Sequence, residues 1–127
     1  MTRLPPRAIE LLERPNFAHL ATLLPDGSPH VTPMWVGVEE DNLTMNTAVG
    51  RVKYFNVRRD PRVAVSLHDQ RDPYAKVIVR GRVVEITKEG ALLHIHELSR
   101  KYLGRDFSLP PGQERVLLRI EPVRVTG

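Results

Sequence analysis

Thr47-Ala-Val-Gly-Arg-Val-Lys-Tyr-Phe-Asn-Val-Arg-Arg-Asp-Pro-Arg-Val63 is the stretch around which the chain is organised. It reads as the end of one strand, a sharp turn at Gly50, a short helix to about Asp60, and a new strand. Pro61 cannot continue a helix, and it pushes Asp60 out of the α region. Arg58 and Arg59 fall in the last turn, where cations suit the helix dipole, but Arg51 and Lys53 fall in the first, where they do not. Two cations beside open backbone N–H groups make sense if an anion binds there. The other reading is two solvated surface cations.

Charge counting supports the anion. The window from Arg51 to Arg62 holds five basic residues against Asp60, a net +4 that equals the net charge of all 127 residues. The remainder is formally neutral, so the basicity is local, as a site for a compact anion requires.

Outward from this stretch, the flanking segments read as strands. Phe17 to Leu24 has apolar residues on both faces, which predicts a barrel wall covered on each side. Pro25-Asp-Gly27 is a hairpin turn signal. Ser28 to Val38 reads as the returning strand; Pro29 and Pro33 lack N–H donors and make it an edge or an irregular strand. Leu43 to Ala48 and Arg62 to His68 are further strands, and Asp69 to Pro73 a polar loop. Tyr74 to Ile86 is a long strand with a bulge expected at Gly81. A helix follows from an N-cap at Thr87 to Leu103, stopped by Gly104, with Ala91, Ile95, Leu98 and Tyr102 as its buried stripe. Glu114 to Val125 closes the chain. A short helix after Pro5 and Pro6 opens it. Six strands, short turns and few helices predict one mainly β domain over residues 1–127, a small antiparallel barrel.

Composition bounds the function. The chain has no Cys, no membrane-length apolar run and no apolar signal core near its N-terminus, so the expected compartment is the cytoplasm. A pI near 9.8 raises nucleic-acid binding, but basic and aromatic residues are little interleaved, which argues against it. His94 and His96 are two apart on a helix and cannot pair on a metal, and His19, His30 and His68 stand alone; no metal site is expected. No serine sits in a nucleophile motif. With no catalytic constellation of its own, an enzyme of this kind would use a cofactor and supply binding and orientation.

Ala18-His-Leu-Ala-Thr22 before Pro-Asp-Gly-Ser-Pro-His-Val31 resembles the opening hairpin of the pyridoxamine 5'-phosphate oxidase-like split barrels. Asn46-Thr47, Arg51-Val-Lys53, Asn56 and Arg59-Asp-Pro-Arg-Val63 match the same family, as do Tyr102-Leu-Gly104 and Glu121-Pro-Val-Arg124. Within it the chain is most similar to the B group of flavin/deazaflavin oxidoreductases that use coenzyme F-420. The resemblance implies a six-stranded split β-barrel and a homodimer with two cofactor sites at the interface. It places the cofactor ring against Thr32, Pro33, Met34 and Trp35, and the phosphate near Arg51 and Lys53. Backbone from Thr47 through Ala48 and Val49 to Gly50 would line the same groove, with Tyr74 and Lys76 contributed by the other subunit. In that oxidase proper the resemblance implies further substrate-binding residues in a C-terminal extension, which the sequence to Gly127 does not contain, so that specific activity is not expected.

The implied activity is hydride transfer between coenzyme F-420 and a small unsaturated or quinone-like acceptor. FMN is the alternative cofactor, and a non-catalytic flavin, deazaflavin or haem binder the alternative class. Each residue also has a structural reading: Trp35 as core or interface packing, Met34 as packing, Thr32 as an ordinary strand residue, Tyr74 as a structural aromatic. Arg58, Arg59 and Arg62 read as solvated or salt-bridged.

Overall fold

The computed structural model describes residues 2–127. Seven strands form one fully antiparallel sheet: β1 (Ala18–Leu23), β2 (Pro29–Met34), β3 (Gly37–Glu39), β4 (Asn42–Ala48), β5 (Arg62–Asp69), β6 (Asp72–Thr87) and β7 (Arg115–Thr126). Their spatial order is β2-β1-β5-β6-β7-β4-β3. The two terminal strands, β2 and β3, are joined in sequence by Trp35 and Val36 alone. A ladder whose ends are two residues apart must curl on itself, so the sheet is a barrel left open along one seam, a split barrel.

That seam corrects the expected six strands. Ser28 to Val38 is not one strand; it breaks at Trp35–Val36, and its halves lie at opposite ends of the sheet. The proline argument holds for the first half: β2 pairs only with β1, and Pro29 and Pro33 sit on the sheet edge, where an absent N–H breaks no second ladder.

Three helices complete the chain: α1 (Pro6–Glu13), α2 (Val52–Arg59) and α3 (Ala91–Leu103). α1 sends Ala8, Leu11 and Leu12 into the barrel core, against Leu20, Leu43, Val65, Val79, Leu118 and Ile120. α3 starts three residues later than expected, its N-cap at Gly90 and not Thr87. Thr87 ends β6, and its hydroxyl accepts the N–H of Glu89 at 3.1 Å within the turn; Gly90, at φ 76°, precedes the helix. Ala91, Ile95 and Leu98 form the expected buried stripe, and Gly104 closes the helix. The polar loop expected at Asp69 to Pro73 is a tight hairpin in which Asp69 pairs with Asp72, so Tyr74 lies inside β6. The bulge falls as expected, between Arg80 and Gly81; a Cβ on Gly81 would lie 2.6 Å from the Glu121 carbonyl oxygen, so close approach of β7 requires glycine.

One expectation about β1 fails. Only its Ala18, Leu20 and Thr22 face is buried; His19 is exposed, and Phe17, just before the strand, is 52% exposed. The outer face of the wall is open in the single chain.

The end of α3 pins the seam. Lys101 Nζ donates to the carbonyls of Leu12, at 2.5 Å, and Val36, at 2.6 Å. The Tyr102 hydroxyl donates to the Asn16 carbonyl at 2.6 Å and accepts the Val36 N–H at 3.1 Å. These contacts fix the two-residue bridge between β2 and β3, and with it the position of Trp35.

Candidate functional site

β4 runs into α2 through a turn that only glycine adopts easily: Gly50 has φ 97°, and no atom crowds its α-carbon. Arg51 is the extended residue at the N-cap of α2. No side chain caps this terminus, and its first turn holds no acidic residue. Its free N–H groups and positive dipole end therefore face outward uncompensated.

Beside it lies a groove of about 270 Å³ lined by both cationic and apolar side chains. Arg51, Lys53 and Arg115 are its cations. Among the described residues none of the three forms an ion pair with a carboxylate. Burial, followed by the charges of Arg51 and Arg115, lowers the Lys53 pKa. Burial and Arg51 lower that of Arg115. Lys53 and Arg115 are thus both destabilised as cations by their surroundings, as expected where an anion is the missing partner. Arg115 is held in place: its Nε donates to Asn46 Oδ1 and an Nη to Gln113 Oε1, both at 2.9 Å, and its guanidinium lies 5.0 Å from the Phe107 ring centroid.

Phe17, Met34, Trp35, Ile95, Leu98 and Phe107 give the groove its apolar lining. Trp35 stacks on Tyr102 with ring centroids 5.4 Å apart and planes 13° from parallel, and meets the edge of Phe107 at 6.4 Å. Phe17 packs on Tyr102 at 5.6 Å. No His, Ser, Asp or Glu lines the groove. The arrangement binds and orients; it carries no nucleophile or carboxylate acid–base pair of its own.

Of the residues singled out in the sequence, Pro33, Met34, Trp35, Thr47, Ala48, Arg51 and Lys53 meet in this groove. Thr32 is one step up β2, opposite Leu20, and its buried hydroxyl has no hydrogen-bond partner. Val49 and Gly50 form the turn at the groove's rim. Tyr74 and Lys76 do not join the groove of their own chain. They line a separate hollow with Arg7, Glu10 and Arg14, and Tyr74 is 84% exposed.

The local charge excess resolves differently from its sequence reading. Arg58 lies on the Tyr54 ring, Arg59 donates to the Leu23 carbonyl and Asn56, and Arg62 pairs with Asp60 at 2.7 Å. Those three are structural, and the third groove cation is Arg115. It stands opposite Ala48 in the β4–β7 ladder, and nothing in its own neighbourhood of sequence marks it. No local sequence signal marks Phe17 or Phe107 as groove residues. Periodicity places Ile95 and Leu98 in the helix core, and Asn46 stands out only through its family motif with Thr47.

Comparison with known proteins agrees with this architecture. The sequence pattern of the pyridoxamine 5'-phosphate oxidase family matches residues 4–127. Among solved structures, a protein described as an F420 reductase is 33% identical over 97% of this chain and 98% of its own, with a TM-score of 0.86. The conserved hypothetical protein Rv2991 of Mycobacterium tuberculosis is 28% identical, covering 98% of this chain and 84% of its own, with a TM-score of 0.77. A putative pyridoxamine 5'-phosphate oxidase of Listeria innocua shares the fold at 20% identity over 92% of this chain and 91% of its own, TM-score 0.71. No curated protein sequence matches. With a family pattern spanning the barrel from α1 to the last strand, and the seam and groove described above, the chain belongs to the pyridoxamine 5'-phosphate oxidase-like split-barrel family.

Proposed function

We propose that this protein is an oxidoreductase that holds the deazaflavin coenzyme F-420 in the groove and serves hydride transfer to a small unsaturated or quinone-like acceptor. The observation that carries the reading is the convergence of Arg51, Lys53 and Arg115, none paired with a carboxylate among the described residues, in a groove whose remaining lining is largely aromatic and apolar. A phosphate with glutamyl carboxylates suits three cations, and a planar ring suits the wall of Trp35, Met34 and Pro33. The similarity to a protein described as an F420 reductase supports the same cofactor.

When bound, the deazaflavin supplies a two-electron hydride carrier. The chain's residues do the rest by binding: the cations hold the anionic tail, the apolar wall orients the ring, and the seam contacts of Lys101 and Tyr102 keep Trp35 in register. The working form is a homodimer in which Tyr74 and Lys76 serve the partner's groove; their distance from the groove of their own chain and the exposure of Tyr74 motivate this assignment. A chain without Cys suits a reducing compartment, and we place the protein in the cytoplasm.

FMN is the second reading, favoured by the family match over residues 4–127. It brings one phosphate and no glutamyl carboxylates, so it engages fewer of the three cations. Anaerobic titration with each cofactor separates the two: tight coenzyme F-420 binding is expected, and tight FMN binding without deazaflavin binding rejects the proposal. Saturable binding with no turnover across a panel of quinones and enones would instead mark a carrier.

A further inference from the structure

A line of polar contacts leaves the groove and enters the core. Arg115 Nε donates to Asn46 Oδ1 at 2.9 Å. The Asn46 amide nitrogen donates to the Ala91 carbonyl at 2.9 Å and lies 3.0 Å from His94 Nδ1. Turning this amide over would set an N–H against the Arg115 N–H and an oxygen against the Ala91 carbonyl, so the orientation is fixed. An amide nitrogen only donates. His94 Nδ1 is therefore the acceptor, and the neutral ring carries its proton on Nε2. Asn46 is 6% exposed and His94 9%. His94 Nε2 is buried without any partner. A core that needed only volume here would be better served by leucine, since an unpaired buried N–H is a cost.

We propose that His94 is a positioning residue: through Asn46 it holds the Arg115 guanidinium against the repulsion of its neighbours, aimed at the groove's anion. This rests on the reading of the groove as an anion site. Arg115 shares the groove with Arg51 and Lys53, whose charges oppose its own. Its other polar contact, Gln113, belongs to the connection between α3 and β7 and not to the sheet. The Asn46 oxygen is its tie to β4. That oxygen points toward Arg115 because the amide nitrogen is claimed on the far side by two acceptors, Ala91 O and His94 Nδ1. Without the imidazole acceptor the Ala91 carbonyl alone claims the amide nitrogen, and the Asn46 oxygen is held toward Arg115 less firmly. His94 does not itself line the groove; its effect reaches the site through Asn46, which does.

The experiment uses full-length His94→Leu, His94→Asn, Arg115→Ala and the double variant His94→Leu/Arg115→Ala. Two readouts are taken: the Arg115 Nε–H correlation in NMR of the free protein, and the affinities for FMN and coenzyme F-420 by titration. Wild type should show a protected Nε–H signal. His94→Leu should lose or broaden it and bind the better of the two cofactors about tenfold more weakly. His94→Asn, whose Oδ1 replaces the Nδ1 acceptor, should recover the signal and most of the affinity. The double variant should bind no more weakly than Arg115→Ala alone, because His94 acts only through Arg115. Melting temperatures confirm that each variant folds. An unchanged Nε–H signal in His94→Leu, failure of folded His94→Asn to rescue it, or additive losses in the double variant would each overturn the inference. If wild type binds neither cofactor, the proposed function falls, while the Nε–H signal of the free protein still decides whether His94 positions Arg115.

Discussion

Lys53 shows how a single residue can be informative by being badly placed. It lies in the first turn of α2, half-buried, near Arg51 and Arg115 and without a carboxylate partner. A charge-assisted hydrogen bond to a bound phosphate or carboxylate is worth about 1.5–3 kcal/mol. Lys53→Ala should weaken cofactor binding about tenfold to a hundredfold, with the loss shrinking as salt rises. Folding should be unharmed, because in the empty protein this cation opposes the helix dipole. Equilibrium titration at low and high salt, with a denaturation curve, checks both halves; wild-type affinity in Lys53→Ala at low salt would remove the anion site. Trp35 resolves the other residue-scale question. Its indole is packed on Tyr102 and also lines the groove, so packing leaves a face available for ring contact. Trp35→Ala should shift the absorbance or fluorescence of a bound cofactor while leaving the assembly mass unchanged. Loss of the assembly with an unchanged spectrum would make the indole an interface residue instead.

At the scale of elements, the seam between β2 and β3 depends on the last turn of α3. Burial lowers the Lys101 pKa to about 8, yet its ammonium ties the end of α1, through Leu12, to the bridge at Val36. Lys101→Met keeps the apolar stem but leaves both carbonyls without this donor. It should destabilise the fold by about 1–3 kcal/mol in a urea melt. Raising the pH should act in the opposite direction. The folded-state pKa lies below the unfolded value of 10.5, so the unfolded chain binds more protons between about 8 and 10.5, and this residue's contribution to stability rises across that window. A neutral amine still has two N–H groups for the two carbonyls, so deprotonation does not open the seam. Flat stability of wild type relative to Lys101→Met from pH 8 to 10.5 would refute this account.

For the whole molecule, the acid limb of stability should be set largely by one core histidine. Burial, then the charges of Arg119 and Arg115, lower the His94 pKa to about 4. Glu39, Glu85 and Glu97 line the hollow on its other side, and Arg119 is paired with the first two. As pH falls below 6.5 the unfolded chain takes up a proton that the folded ring refuses. Stability therefore declines from pH 6.5 and the loss is complete below about 4, for a total on the order of 3 kcal/mol. His94→Leu should flatten that part of the profile while changing neutral-pH stability little, since it removes an unpaired buried N–H along with one acceptor. An identical acid profile in the variant would assign the limb to other groups. The proposed homodimer is tested at the same scale. Phe17, Val31, Phe55 and Val123 are each more than half exposed, as is Tyr74, and the outer face of β1 is open. Sedimentation at micromolar concentration should give twice the 14.5 kDa chain mass, and a stable monomer would also remove Tyr74 and Lys76 from the proposed site.

Local signals in the sequence determined the elements and one half of the groove. Gly50, Pro61 and the misplaced cations Arg51 and Lys53 marked the strand–turn–helix unit, because turn chemistry and the helix dipole act within a few residues. The buried stripe of α3 followed from periodicity, which is equally local. The seam, the third cation and the His94–Asn46–Arg115 line were decided by tertiary structure alone. Ser28 to Val38 has the composition of one strand, and only curling of the sheet sends its two halves to opposite edges. Arg115 reads as the first residue of a strand until the β4–β7 register sets it across from Ala48, beside Asn46. Pairing between strands some seventy residues apart depends on which faces are buried together, and that is a property of the closed barrel, not of any stretch of the chain.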